Sequence, residues 1–425
     1  MHDDQTFAEH ESAVRSYCRR FPMVFTQARG SHLYDEAGRE YIDFLSCAGA
    51  VNYGHNPPAQ KAAMIAYLES DGIQAALDMH TGAKRAFIDS FAATILRPRG
   101  MAHRLQFTGP TGTSVVESAI KLARKVTGRR NVIAFTNGFH GMSGTSLGLT
   151  GNRYHRQDYQ DSHVSRMPFE GYMGEGFDTI AYLRRLLADN SSGIDLPAAV
   201  IVETVQGEGG VNVASAAWLQ ALRELTREYG ILLVIDDIQA GCGRTGDFFS
   251  FEFAGITPDL VCLSKSLSGY GLPFSLLLIA PEFDCWRPAE DNGTFRGNTL
   301  AFVSARVALE TYWSDAQLQG DIRRREKLVR AALATWHAAF PGQIKATRGR
   351  GLFHGIEFAD AAVAESVAQA CIARQLVIER CGPDDEVLKL MPPLTIADAV
   401  LQQGLGIIQA ALDECLAGQA VRKAA

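Results

Sequence analysis

Apolar residues fall in short blocks rather than in long tracts. Residues 231–235, Ile-Leu-Leu-Val-Ile, end in Asp236 and Asp237, and residues 260–263 end in Ser264 and Lys265. Residues 132–135 and 198–202 are of the same kind, the second ending at Glu203. Blocks of four or five apolar residues bounded by turn formers predict strands buried on both faces, as in a parallel sheet. Helical spacing appears between them, at 59–68, 78–96, within VVESAIKLARKV after Ser114, and at 218–229. Strand and helix in alternation predict a doubly wound α/β sheet, and residues 274–279 add a further strand.

Before and after this block the pattern changes. Strand-like pieces at 32–34 and 39–43 precede the breaker-rich loop Asn52-Tyr53-Gly54-His55-Asn56-Pro57-Pro58. A long helical pattern runs to about Tyr312. Beyond it, helices at 322–340 and 361–374 surround strand-like segments near 351–357 and 376–379. The expected division is 1–60 as the first part of a small domain, 61–312 as a large domain, and 313–425 as the remainder of the small α+β domain. The stretch 152–177 reads as a long irregular loop, of the kind that carries function.

In open α/β sheets ligands sit beyond the carboxyl ends of the strands. Asp236, Lys265, Glu203 and Glu208 therefore face one crevice. A carboxylate and an amine at one crevice suit pyridoxal phosphate, the amine forming a Schiff base and the acid keeping the pyridine nitrogen protonated. The same two residues could instead form a buried structural ion pair. The run Thr108-Gly109-Pro110-Thr111-Gly112-Thr113-Ser114 feeds a helix N-terminus, where free N–H groups and the helix dipole attract phosphate; simple capping by Thr113 or Ser114 is the alternative. Phe139, just past a strand end, could stack on a flat ring or pack in the core.

Composition narrows the classes. Hydrophobic residues make up 47% and charged residues 21% of 425 residues, and the formal net charge is −6. No basic block points to nucleic acid. No run approaches the roughly 18 apolar residues of a membrane-crossing helix. The polar start MHDDQTFAEHES resembles neither a secretory signal nor a transit peptide, so a cytoplasmic enzyme is expected. The eight cysteines include no C-x-x-C pair, and no metal site is expected. Cys242 lies in the strand-end loop without a visible His–Cys constellation.

Taken in order, FTGPTGTSVVESAIKLARKVTGR, TNGFHG, AVIVETVQGEGG, DDIQAGCGRTG, LSKSLSGYGLP and NGTFRGN resemble the ornithine- and GABA-type (class III) aminotransferases over nearly the whole chain. The resemblance implies the type I fold of pyridoxal phosphate-dependent transferases, with a mostly parallel central sheet and a smaller α+β domain from both termini. It implies Lys265 as the cofactor-bearing catalytic lysine, Asp236 at the pyridine nitrogen and Gln239 near the phenolic oxygen. Phe139 would stack on the ring, with His140 beside it. Gly112 and Thr113 would hold the phosphate, and Thr294 would reach the phosphate of a neighbouring subunit, so a homodimer or higher homo-oligomer shares its sites. Glu203 would stand behind the ring, and Glu208 would be a gating acid.

Lys389 stands where most family members carry the arginine that grips the acceptor's carboxylate. An ammonium is a point charge where a guanidinium is a fork. The lysine agrees with the branch that moves the terminal amino group between 2,4-diaminobutyrate and 2-oxoglutarate in ectoine synthesis. Other terminal-amine donors such as ornithine or GABA, an aminomutase, and a non-catalytic protein of the same fold are the alternatives.

Overall fold

The structure is a computed structural model that describes residues 5–157, 159, 161 and 163–423. Residues 1–4 and 424–425, the ends of the expected terminal segments, lie outside the described residues, as do three positions within 152–177.

Seven strands form the central sheet, in the spatial order Arg104–Phe107, Leu276–Ile279, Leu260–Leu263, Leu232–Asp236, Ala199–Val202, Val132–Phe135 and Val164–Met167. Neighbours from Leu260–Leu263 to Val164–Met167 run parallel, while Leu276–Ile279 is antiparallel to both its neighbours. Alternate residues of each inner strand go to opposite layers. Leu232, Val234, Ile201 and Cys262 pack with Val115, Ala119 and Leu122 of the helix Gly112–Thr127. Leu233, Ile235, Val200 and Val261 pack in the other core with Leu219 and Leu222 of the helix Ala216–Glu228. Each fully buried side chain of this size contributes roughly 1.5–3 kcal/mol. Burial on both faces leaves the strand ends as the place for polar groups.

Two four-stranded sheets flank this core. One joins Phe25–Arg29, His32–Asp35 and Glu40–Asp43 to Leu376–Val377, which runs parallel to Glu40–Asp43. The other runs Ile344–Arg350, Phe353–Phe358, Val387–Leu390, Glu379–Cys381. The segment expected as one strand at 376–379 is thus two strands in two sheets, because the chain crosses between them at Ile378. The stretch 152–177 is also more ordered than its composition indicates. It holds the short helix Arg153–Arg156 and the edge strand Val164–Met167, whose pattern carries too few apolar residues to announce a strand. The helix expected over 78–96 begins only at Gly82, where the Thr81 hydroxyl caps it by accepting from the Lys84 amide.

Candidate active site

The floor of the crevice is built at strand ends. Asp236 is the last residue of its strand and pairs in register with Cys262, three residues before Lys265. One Asp236 oxygen accepts from the Ile238 amide at 3.2 Å, and the other lies 2.7 Å from His140 Nδ1. Both side chains are buried. Burial opposes a charge on His140, but the hydrogen bond and charge of Asp236 outweigh it and its pKa is raised. Glu203, also buried, accepts from the Phe139 amide at 2.9 Å and the Gly207 amide at 3.3 Å. Burial pushes its carboxyl up to about 7, although the His140 charge pulls the other way. Glu203 thus fixes the backbone of Phe139, and Asp236 fixes the ring of His140. The Phe139 ring meets His155 edge-on at 5.7 Å.

Lys265 enters the crevice from the next strand with φ of +47°. A left-handed non-glycine residue costs of order 1–2 kcal/mol. The turn is held by the Leu267 amide donating to the Ser264 carbonyl at 2.9 Å. Lys265 is half-buried, and its ammonium has no hydrogen-bond or ion-pair partner among the described residues. Burial lowers its pKa, against the opposing charges of Glu208, Glu379 and Asp236. A partnerless amine whose charge burial disfavours leans towards its neutral, nucleophilic form.

A third element is the start of the 16-residue helix Gly112–Thr127. Thr111 caps it by accepting from the Ser114 amide at 3.3 Å, so neither Thr113 nor Ser114 is the cap. The Gly112 and Thr113 amides donate to nothing among the described residues. A Cβ at Gly112 would stand 3.2 Å from Ile238, in the loop that follows Asp236. The Thr113 hydroxyl meets those of Ser143, at 3.1 Å, and Ser146.

A second charged cluster lies within electrostatic reach of Lys265. Lys389 is fully buried, 2.7 Å from Glu208 and 3.0 Å from Glu379. Burial opposes its charge, yet the two carboxylates hold its pKa well above the ordinary lysine value. Lys389 and then Lys265 hold Glu208 down at about 2 against the cost of burial. Gln239 donates to Glu208 at 3.1 Å and to the Ala48 carbonyl at 3.0 Å. Ala48 belongs to Ser46–Gly49, four successive residues with positive φ. Burial, then the charges of Glu379 and Glu208, push the Tyr17 phenol up.

The structure therefore gathers Lys265, Asp236, His140, Glu203, Phe139, Gln239, Glu208 and Lys389 around one crevice. Thr294 is exposed in the loop before the helix Thr299–Tyr312 and touches none of them. Glu379 and Tyr17 also belong to the Lys389 cluster, although neither lies in a recognisable sequence motif. Cys242 is buried, which pushes its thiol up and away from nucleophilic use. Among the described residues no group of three or more His, Cys, Asp or Glu could hold a metal ion.

This donor set fits pyridoxal phosphate. A partnerless amine, an acid fixed by a buried imidazole, and two free amides at a helix N-terminus answer its aldehyde, its ring nitrogen and its phosphate. The family model for class III aminotransferases matches residues 14–412. The chain is 53% identical to the diaminobutyrate–2-oxoglutarate transaminase of Bordetella parapertussis over 97% of this chain and 96% of that protein. It is 52% identical to the enzyme of the same name from Nocardia farcinica over 98% of this chain and 95% of that one. The ornithine aminotransferase of Toxoplasma gondii superposes with a TM-score of 0.82 at 25% identity, covering 99% of this chain and 94% of that one. Fold, strand-end chemistry and a match over most of its length agree, and the chain belongs to the class III aminotransferases.

Proposed function

We propose that this aminotransferase moves the terminal amino group between L-2,4-diaminobutyrate and 2-oxoglutarate, with aspartate 4-semialdehyde and glutamate on the other side, as in ectoine-type synthesis. The observation that carries the reading is the partnerless Lys265 amine, set between the Asp236–His140 pair and the Glu208–Lys389 pair. The names of relatives about half identical to the chain support the choice of substrates.

Pyridoxal phosphate, when bound, supplies an electrophilic carbon and a protonated ring that accepts the electron pair left by a departing substrate proton. Lys265 would hold the cofactor's aldehyde in the resting enzyme. Freed from it, the neutral Nζ would take the proton from the substrate carbon bearing nitrogen. Asp236, oriented by His140, would face the ring nitrogen. Phe139 would cover one ring face, and Gln239 would border the phenolic oxygen. The Gly112 and Thr113 amides and the Thr113 hydroxyl would hold the phosphate. Thr294 serves the neighbouring subunit's phosphate, so the working unit is a homodimer or a larger homo-oligomer, in the cytoplasm.

Glu208 sets the order of substrates. While it covers Lys389, a cationic diamine enters without meeting an exposed positive charge. When it withdraws, Lys389 takes the acceptor's carboxylate. Replacing Lys265 by Ala should abolish turnover and the colour of the bound cofactor; retained transamination would remove Lys265 from its role. Mixing the yellow enzyme with single amines should bleach it fastest with 2,4-diaminobutyrate. Faster bleaching by ornithine or GABA would reassign the donor, and turnover without any keto acid would point to an aminomutase.

A further inference from the structure

Lys389 has two carboxylates where one would neutralise it. Glu379 and Lys389 are register partners on the antiparallel strands Glu379–Cys381 and Val387–Leu390, so their side chains share one face of the sheet. The Glu379 side chain is 1% exposed and that of Lys389 is 0%, whereas that of Glu208 is 32% exposed and sits among the glycines 207, 209 and 210. One carboxylate is fixed by the sheet, and the other has room to swing.

A gate that uncovers a buried cation meets a physical obstacle. Removing the sole partner of a buried charge leaves that charge uncompensated, which is strongly unfavourable. Glu379 removes the obstacle. We propose that Glu379 is a positioning residue, a stationary counter-ion that lets Glu208 leave Lys389 before the keto acid's carboxylate arrives. The proposal rests on the reading of Lys389 as the acceptor's carboxylate site.

The electrostatics agree with the geometry. Burial raises the Glu379 carboxyl, Lys389 pulls it down, and the nearby Glu208 charge raises it again. Departure of Glu208 thus favours the ionised form of Glu379 when Lys389 has no other partner. Lys389 stays charged and stays in place through both halves of the reaction.

The test separates the half-reactions of the holoenzyme by rapid mixing. Glu379→Gln should slow recovery of the yellow form by 2-oxoglutarate roughly tenfold in second-order rate constant, because opening now strands Lys389. Bleaching by the amine donor, which needs the gate closed, should change by no more than about twofold, since closure keeps Lys389 paired with Glu208. Glu379→Asp keeps the charge and should show a smaller loss in the keto-acid half-reaction alone. It carries the test if the Gln variant does not fold. On melting, Glu208→Gln and Glu379→Gln should each cost little, and the double variant more than their sum, since only it leaves Lys389 without a carboxylate. Equal slowing of both half-reactions, or of neither, would overturn the role of Glu379, as would additive melting shifts. If Lys389→Met left the keto-acid half-reaction unchanged, the assignment of Lys389 itself would fall, and the role of Glu379 with it.

Discussion

Asp236 and Lys389 are both buried charges facing Lys265, yet they are held in different ways. Among the described residues Asp236 has one charged neighbour in hydrogen-bond range, His140, and both side chains are buried. Lys389 divides its ammonium between a carboxylate fixed on a neighbouring strand and one on a glycine-rich loop. The first arrangement has a single geometry. The second can exchange partners without ever exposing a bare charge. A site that must hold one cofactor throughout and admit two unlike substrates in turn needs both.

The sharpest way to break this comparison is to remove the shared cation. Lys389→Met strands two carboxylates in a buried cluster and should cost about 3–5 kcal/mol of stability, measured by denaturant unfolding. A loss below about 1 kcal/mol would mean that Glu208 and Glu379 reach water without Lys389. On the fixed side, Asp236→Ala should lower kcat by roughly 10²–10³-fold, the scale of losing one preorganised electrostatic partner. It should slow both half-reactions alike, unlike Glu379→Gln; an effect on one half only would place Asp236 with the substrate.

The smallest effect concerns Asp237, next to Asp236 but turned away from the crevice to accept from the Ser250 amide at 3.1 Å. Burial, with the Asp236 charge adding to it and the Ser250 hydrogen bonds opposing, pushes its carboxyl up to about 7. A carboxyl raised in the folded state binds its proton more tightly there than in the unfolded chain, so folding loses stability as pH rises from about 4 to about 7. Asp237→Asn removes that loss. Its unfolding free energy should gain on the parent's across this range, by about 3 kcal/mol, read from denaturant unfolding at each pH. A constant difference between pH 4 and 8 would show that Asp237 is ionised throughout.

The two sides also differ in how far the chain announces them. Asp236 and Lys265 follow apolar runs, and a strand end is visible wherever such a run stops. The Gly/Thr-rich turn before the helix Gly112–Thr127 was visible for the same local reason. Lys389 is marked only by the family resemblance, because a lysine in a short apolar segment carries no signal of its own. Glu379 is marked by nothing. Its segment has the pattern of one strand from 376 to 379, and the crossing between two sheets at Ile378 has no local signature.

By itself the sequence determined the alternating α/β layers, the buried inner strands and the residues at their ends, since each of these depends on neighbours a few positions away. Only the tertiary structure decided which of those ends meet. Glu208 and Lys389 are 181 positions apart, and His140 and Asp236 are 96 apart. The strand order and register that join them are fixed by packing of the whole sheet rather than by any short stretch. Whether a buried lysine has one counter-ion or two is a property of that packing, and no pattern of apolar and polar positions encodes it.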